Sequence, residues 1–473
     1  MDKIIVCLLT LICVVFLPAL TLSQQFKAGA AKVSITPPPG IFMNGSFMPS
    51  KAEQIHDSLY AKAVVVDDGK VKAAFVIVDI CVASAETYNE AKLIIEKQTN
   101  IPTGNIMISS THTHSAGSIE NVYYCEADTS YRNGLPPLIA ESVFNAFSQL
   151  RTAKISWGAV DFPQYVSCRR WYMKKGFVSE NPFGGTDMVK MNPPQGSEFL
   201  DKPSGPIDPE VGFIAIKGLD DKWIALLANY SMHYVGDVEP NTISADYFGE
   251  FGVQLQQKLQ AGSEFVGIMS NGTSGNTNSW DFKQPDRYPI GYYEKTKLIA
   301  GDIATAISAS LAKAVWDSKP DVKTAQQNLE VKTRKPSLKD LEYARANLDS
   351  NASEAIKTKQ NDYTKLYARE QILLNEYADK VNIPIQAIKI GDGIIGALPG
   401  EFFTETGLAL KKGSPVKNYF TVCLANGWFG YVAPPGQHKL GGYETWRSRT
   451  SYLEVGAEPK IKNTLLNLLK KIN

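Results

Sequence analysis

Short apolar runs that each break off into a burst of polar residues dominate this chain from residue 31 onward. Ala31–Ile35 alternates as a strand does and stops at Pro37-Pro38-Pro39-Gly40, a firm turn. Leu59–Val66 reads as a second strand, closed by Asp67-Asp68-Gly69, with Val71–Val78 as its hairpin partner. Apolar residues at helical spacing mark Ala85–Gln98, Leu138–Leu150 and Glu294–Trp316. Residues 335–380 have another texture, rich in Lys, Glu, Asp, Ala and Leu. That stretch opens Pro336-Ser337 with Asp340 three residues past the serine, and predicts a helical hairpin with a large solvated face. Ile461–Ile472 predicts an amphipathic helix that caps the fold. No internal repeat or low-complexity linker interrupts the pattern. Residues 24–473 are therefore expected to form one large α/β domain, with 335–380 as a helical insertion.

The first residues read differently. Met1-Asp2-Lys3 precedes a nearly unbroken apolar run from Ile4 to Leu20 and a small-residue exit at Thr21-Leu22-Ser23, which predicts a secretory signal over 1–23, with a membrane anchor as the alternative. No later segment is long and apolar enough to suggest a membrane span. The mature protein is thus expected to be secreted or periplasmic. A formal net charge of +1 gives no electrostatic reason to expect nucleic acid as a partner. Four cysteines follow the signal, Cys81, Cys125, Cys168 and Cys423. They form no CxxC pair and are too sparse for a disulfide scaffold, which leaves one or two disulfides or buried free thiols open.

Candidate chemistry gathers where the apolar runs end. Asn105–Ser109 leads into Thr111-His112-Thr113-His114-Ser115, and Trp223–Leu227 leads through Asn229 to His233 and Ser244-Ala245-Asp246. Phe265–Met269 runs into the polar stretch 270–278, Ile394–Leu398 into Pro399-Gly400-Glu401, and Tyr419–Leu424 into Asn426-Gly427 and Tyr431. Ligands of open α/β sheets bind beyond the carboxyl ends of the strands, so five such exits predict one pocket fed by several strands. Only five histidines exist, and two form one His-x-His. In a strand those two face the same side, about 6.6 Å apart along the chain. Either both reach one ion, or one takes a metal while its neighbour reaches substrate. Neutral imidazole suits zinc, and catalytic zinc combines three protein ligands with an open position. His233 alone reads more readily as a hydrogen-bonded core or surface residue. Glu401, held after a Pro-Gly turn, could face a metal or cap the helical run Phe402–Lys411. The run Asn271–Asn278 reads either as an anion cradle or as a plain loop, and it lacks the lysine of a P-loop.

Several ordered segments resemble the neutral/alkaline non-lysosomal ceramidases: 31–38 (AKVSITPP), 55–63 (IHDSLYAKA), 109–115 (SSTHTHS), 208–212 (DPEVG), 397–402 (ALPGEF) and the region from Asn426 to Tyr443. The matches span almost all of the sequence after residue 30. The resemblance implies an α/β fold of layered mixed β-sheets flanked by helices, with a zinc ion at the pocket floor. Carried over residue by residue, it implies His112, His233, Glu401 and Tyr431 as metal ligands. It implies His114 facing the substrate, with Arg169 and Tyr443 beside the scissile group. Three departures stand out. Gly275-Asn276-Thr277-Asn278 replaces Gly-Asp-Val-Ser, so Asn276 and Asn278 occupy the substrate loop and a serine nucleophile is excluded there. Cys168-Arg169-Arg170 replaces an expected Asn-Arg, and the chain ends in a helix where the large ceramidases continue into an immunoglobulin-like domain.

The expected activity is zinc-dependent hydrolysis of an amide bond in a small-molecule or lipid-derived N-acyl substrate. Another amide, an ester or a glycan-derived group at the same zinc site is the alternative. So is a non-catalytic binding protein on the same fold. A barrel amidohydrolase also uses His-x-His, but it needs two further metal histidines and a late aspartate, and only His233 and His438 remain in the later chain.

Overall fold

The computed structural model describes residues 25–348 and 363–473. Its backbone is one large mixed sheet packed on a smaller one, with helices outside both. In spatial order the eight strands of the larger sheet are Val266–Asn271, Trp223–Tyr230, Glu210–Gly218, Arg151–Asp161, Lys27–Ser34, Tyr60–Asp67, Lys72–Val78 and Ile106–Ser110. The central pairings are antiparallel, while the outermost pair at each edge is parallel. The smaller sheet runs Val322–Lys332, Lys380–Ile390, Gly393–Ala397 and Asn418–Val422, and its last pair is again parallel. Three parallel pairs matter for function, because parallel neighbours deliver their carboxyl ends to the same side.

Burial follows the pleat. Phe75, Ile77, Ile155, Ile214 and Ile268 from the larger sheet meet Ile388, Ile395 and Phe420 from the smaller one in a common apolar layer. Val65, Val76 and Ile108 point to the opposite face, where helices Ala85–Thr99 and Thr129–Ser148 cover them. Helices Asp246–Lys258 and Glu294–Ser310 cover the other half of that face through Phe248, Phe251, Ile299 and Ile303. Ile461, Leu465 and Leu468 of the terminal helix Ala457–Ile472 cover the smaller sheet. The result is helix, sheet, sheet, helix, in agreement with the layered α/β expectation.

The hairpin over 59–78 forms as read, with Ala61 opposite Val78 and Asp67 opposite Lys72. Two helices differ from the pattern. The one expected at Leu138 begins nine residues earlier, because the Asp128 side chain accepts from Tyr131 N at 2.9 Å and so caps a start that runs through Pro136 and Pro137. The helix expected to reach Trp316 stops at Ser310, followed by a short 3₁₀ turn, Leu311–Lys313. Within 335–380, helices Leu338–Leu348 and Tyr363–Asn375 pack on each other, and Lys380 already belongs to the next strand. The N-terminal segment read as a signal lies outside the described residues. Among these residues no helix is long and apolar enough to cross a membrane. All four described cysteines are buried free thiols.

Candidate metal-dependent active site

The strand exits converge. His112 comes two residues after strand Ile106–Ser110, in a left-handed backbone conformation (φ 75°) fixed by a hydrogen bond from its N–H to Ile80 O. His233 follows strand Trp223–Tyr230. Glu401 leaves the smaller sheet through Pro399-Gly400 and pairs in parallel with Tyr431. That pairing needs glycine at 400, where a Cβ would stand 2.7 Å from Gly430 O.

His112, His233 and Glu401 are 3%, 2% and 4% exposed, and one ligand atom from each lies within 4.8 Å of the others. Their hydrogen bonds dictate which atoms these are. His112 Nδ1 sits 2.9 Å from Cys81 O, and His233 Nδ1 sits 3.2 Å from Ser274 O. A carbonyl can only accept, so in both rings Nδ1 carries the proton and Nε2 turns a lone pair inward. His112 Nε2 is 3.3 Å from Glu401 Oε2, a buried oxygen that accepts no hydrogen bond. Glu401 Oε1 is held by Trp428 Nε1 at 3.1 Å. Two imidazole lone pairs and a carboxylate oxygen converging without a donor between them fit a divalent cation of borderline softness such as zinc. A backbone carbonyl behind each ring, taking the Nδ1 proton, is the support that metal-ligating histidines use.

The surrounding charges agree. Burial pushes the His112 imidazole down, but Cys81 and Glu401 more than offset it and hold it well above the ordinary range. Burial pushes the Glu401 carboxyl up, but His112, Tyr431 and Trp428 more than offset that and hold it below the ordinary range. The pocket therefore favours positive charge between these two residues. A proton there would satisfy one pair, whereas a metal ion would also satisfy His233.

His114 stands beside the cluster with Nε2 3.2 Å from His112 Nε2. Its ring stacks on Tyr234 at 3.8 Å and lies against Gly45, where a Cβ would be 2.4 Å from the His114 Cγ. The φ of Gly45, +111°, is one that other residues rarely adopt. Burial, then the nearby His112 and Arg169, hold the His114 imidazole well below its usual value, so it is neutral at pH 7. Arg169 donates from NH2 to Gly275 O at 2.8 Å and to the Tyr431 phenol at 3.2 Å. Its Nε donates to Glu444 Oε1 at 2.9 Å, while Glu444 Oε2 takes the neighbouring Arg170 at 2.6 Å. Of the adjacent pair Arg169 reaches Tyr431, while Arg170 donates to Glu444, Gln437 and Gly441. Tyr443 reaches the Tyr431 hydroxyl at 3.5 Å. Burial above all holds both phenols well above their usual range, so both remain protonated donors.

The cavity over this cluster is lined by His112, His114, Glu401, Tyr431 and Tyr443 among the expected residues. His233, Arg169, Asn276 and Asn278 do not line it. Asn276 donates to Glu405 at 2.9 Å and accepts from Thr404 N at 2.8 Å, tying the loop to the start of helix Thr404–Gly413. Asn278 donates to Asn192 Oδ1 at 3.1 Å. The loop 271–278 commits amides to protein carbonyls, with Gly272 N on Tyr230 O, Ser274 N on Gly272 O and Gly275 N on Phe402 O. It is a structural loop with no free N–H row for an anion. Sequence reasoning missed Cys81, Gly45, Tyr123 and Trp428, which also line the cavity, and Glu444 behind it. Trp428 lay within reach, since it follows Asn426-Gly427 at a strand exit already singled out. Nothing in the local sequence marks Glu444.

No protein-family model matches the chain. Among solved structures it is similar to the neutral ceramidase from Pseudomonas aeruginosa, with a TM-score of 0.69 at 15% identity over 94% of this chain and 74% of that one. A ceramidase complexed with C2 matches equally, with a TM-score of 0.69 at 14% identity over 94% of this chain and 75% of that one. The layered sheets that carry this cluster are therefore the neutral ceramidase fold.

Proposed function

We propose that the chain is an exported zinc-dependent hydrolase that cleaves the amide bond of a small-molecule or lipid-derived N-acyl substrate. One observation carries the reading: three buried donors converge from sequence-distant strand exits, with Glu401 Oε2 unpartnered among them. The likeness in fold to the Pseudomonas aeruginosa protein, a neutral ceramidase, points to the same substrate class. Export rests on the apolar run Ile4–Leu20.

His112 Nε2, His233 Nε2 and Glu401 Oε2 would hold the zinc, with the Tyr431 phenol as a fourth, weaker ligand. Bound there, zinc supplies Lewis acidity, lowering the pKa of water towards about 7 and polarising the scissile carbonyl. The chain's own residues supply the rest. His114, neutral and fixed between Tyr234 and Gly45, takes the proton from attacking water at Nε2 and returns it to the leaving amine. Such a shuttle contributes typically about 10² to 10⁴ in rate. Arg169 stays charged, Tyr443 stays protonated, and both donate to the carbonyl oxygen as negative charge develops there. Their positions are fixed before reaction, so they need no reorganisation. No serine nucleophile is needed, in keeping with Asn278 turned away to Asn192.

The test separates metal holding from proton transfer. His112→Ala should lose bound zinc by elemental analysis, and amide hydrolysis with it. His114→Ala should keep zinc and lose about 10² to 10⁴ in kcat. Unchanged zinc content together with full activity in His112→Ala would refute the assignment.

A further inference from the structure

Tyr443 lines the cavity, but the backbone that carries it is held from outside. Tyr443 and Glu444 open a short 3₁₀ turn, Tyr443–Thr445. Glu444 is fixed by its own side chain, which takes one guanidinium on each oxygen. The Tyr443 hydroxyl, by contrast, reaches Tyr431 at 3.5 Å, a long hydrogen bond. Where that hydroxyl stands therefore depends on where the turn stands.

One carboxylate brackets the turn. Asp187 Oδ2 accepts from Gly442 N at 2.7 Å, just before Tyr443, and from Trp446 Nε1 at 2.7 Å, just past the turn's end. Both are short, as hydrogen bonds to an ionised acceptor are. The other oxygen, Oδ1, accepts from Asn181 Nδ2 at 3.0 Å. Asn181 in turn takes Phe183 N and Gly185 N on its own oxygen, each at 3.1 Å. Asp187 N bonds Ser179 O at 2.8 Å beside a bridge between Glu180 and Thr186, so the loop that carries the carboxylate is itself closed. Met188 N and Val189 N, at 2.9 Å and 3.3 Å from Leu440 O, seat that loop on the segment ahead of the turn. Glycines at 441 and 442 permit the approach. A Cβ at 441 would collide with the Asp187 carboxylate, and one at 442 with the Arg170 guanidinium. Arg170 also donates to Gly441 O at 2.6 Å. An anion on two N–H groups and a cation on a carbonyl thus grip the turn from two sides.

We infer that Asp187 is a positioning residue for the hydrolysis: acting through the turn 443–445, it sets the Tyr443 hydroxyl where it donates to the carbonyl oxygen. This rests on the reading of Tyr443 given above. Asp187 does not line the cavity, so it acts only through the residues it holds. A displacement of about 1 Å in a preorganised group can cost about 10² in rate. Alanine at 187 frees Gly442 N and the Trp446 indole together, and the turn loses its bracket. Asparagine can keep one oxygen on both donors, giving up the bond from Asn181.

A double-mutant cycle on the zinc-loaded protein tests this, with two readouts. Hexanoyl anilide gives kcat and KM. Hexylphosphonate, whose tetrahedral oxygens mimic the charged intermediate, is titrated by calorimetry. Asp187→Ala should keep its zinc and its KM, lose about 10² in kcat, and lose phosphonate affinity in parallel. Asp187→Asn should recover most of that loss, which also guards against a misfolded alanine variant. Tyr443→Phe should lose about 10² to 10³ in kcat. Adding Asp187→Ala to it should cost no more than about twofold further, within the scatter of such cycles. Losses that multiply in the double variant would mean that Asp187 supports the fold and not Tyr443, and would overturn the inference. So would an unchanged kcat in Asp187→Ala, or an Asp187→Asn variant no better than the alanine one. Full activity in Tyr443→Phe would remove the donor role of Tyr443 and the inference with it, leaving the metal ligands untouched. Absence of anilide cleavage by the wild type would count against the hydrolase reading alone, and the same cycle read in phosphonate affinity would still decide the role of Asp187.

Discussion

Glu401→Gln should cost stability in the metal-free protein and cost more once zinc is present. In the metal-free protein Glu401 Oε2 faces His112 Nε2 at 3.3 Å, and the two hold each other charged, the imidazole above its ordinary range and the carboxyl below. Replacing the carboxylate by an amide keeps the oxygen that accepts from Trp428 but removes the anion opposite His112. Breaking a buried pair in this way costs up to about 3–5 kcal/mol. With zinc the gap widens. A ligand bound only by the native state stabilises it by about 2.7 kcal/mol at a hundredfold excess over Kd, rising by about 1.4 kcal/mol per further decade. The wild type gains this, and the variant, lacking the anionic donor, gains little. The assay is thermal unfolding by circular dichroism, first in chelator and then across three decades of free zinc. A wild-type midpoint that ignores zinc would refute the ligand set, and so would a Glu401→Gln midpoint that climbs as steeply as the wild type's.

Three further outcomes follow from particular contacts. Gly45→Ala should keep bound zinc but lower kcat by roughly a hundredfold, because its Cβ would stand 2.4 Å from His114 Cγ at a φ of +111° and push the ring off line; parallel metal analysis and kinetics check both halves. Glu444→Gln strips the shared counter-ion from Arg169 and Arg170, both buried, and should cost about 3–5 kcal/mol in urea unfolding, a loss below about 1 kcal/mol refuting it. Lys92 is buried on helix Ala85–Thr99, and burial lowers its amine from 10.5 to about 7. Between about 7 and 10.5 the unfolded chain then binds a proton that the native chain does not, so stability rises with pH across that window. Lys92→Met should flatten the rise and stabilise the protein near pH 7 by up to about 5 kcal/mol, at about 1.4 kcal/mol per pKa unit, as read from unfolding midpoints in a pH series.

How much of this was legible depends on what kind of signal each residue leaves. Strands 60–67 and 72–78 announce themselves because buried runs end in a turn that only Asp-Asp-Gly chemistry makes. Arg151–Asp161, equally central, does not: it lies between two antiparallel partners, yet mixes Arg, Lys, Ser and Asp with its apolar residues, so no simple alternation survives. The early start at Thr129 is likewise hidden, since Pro136 and Pro137 normally argue against a helix interior and only the Asp128 cap shows where the chain turns in. At the site, His112 and His114 stand out as a pair. His233 and Glu401 owe their significance to strands that are adjacent in space only after folding, and sequence spacing alone left both open.

The limit is sharpest at Arg169 and Glu444. A Cys-Arg-Arg segment offers two adjacent guanidinium groups, and nothing local says which one reaches Tyr431. What decides it is a glutamate 275 residues away, one oxygen of which takes each arginine. Because Glu444 is fully buried and serves both, Arg170 can spend its other donors on Gln437 and Gly441 while Arg169 keeps NH2 for Gly275 and Tyr431. The chemistry of the pocket is thus set one layer behind its lining, by a residue whose neighbours in sequence carry no trace of the task. The same logic holds for Gly45, a residue with no functional group. Its missing side chain is what leaves room for the His114 ring, and that absence becomes a property of the site only once two distant loops have met.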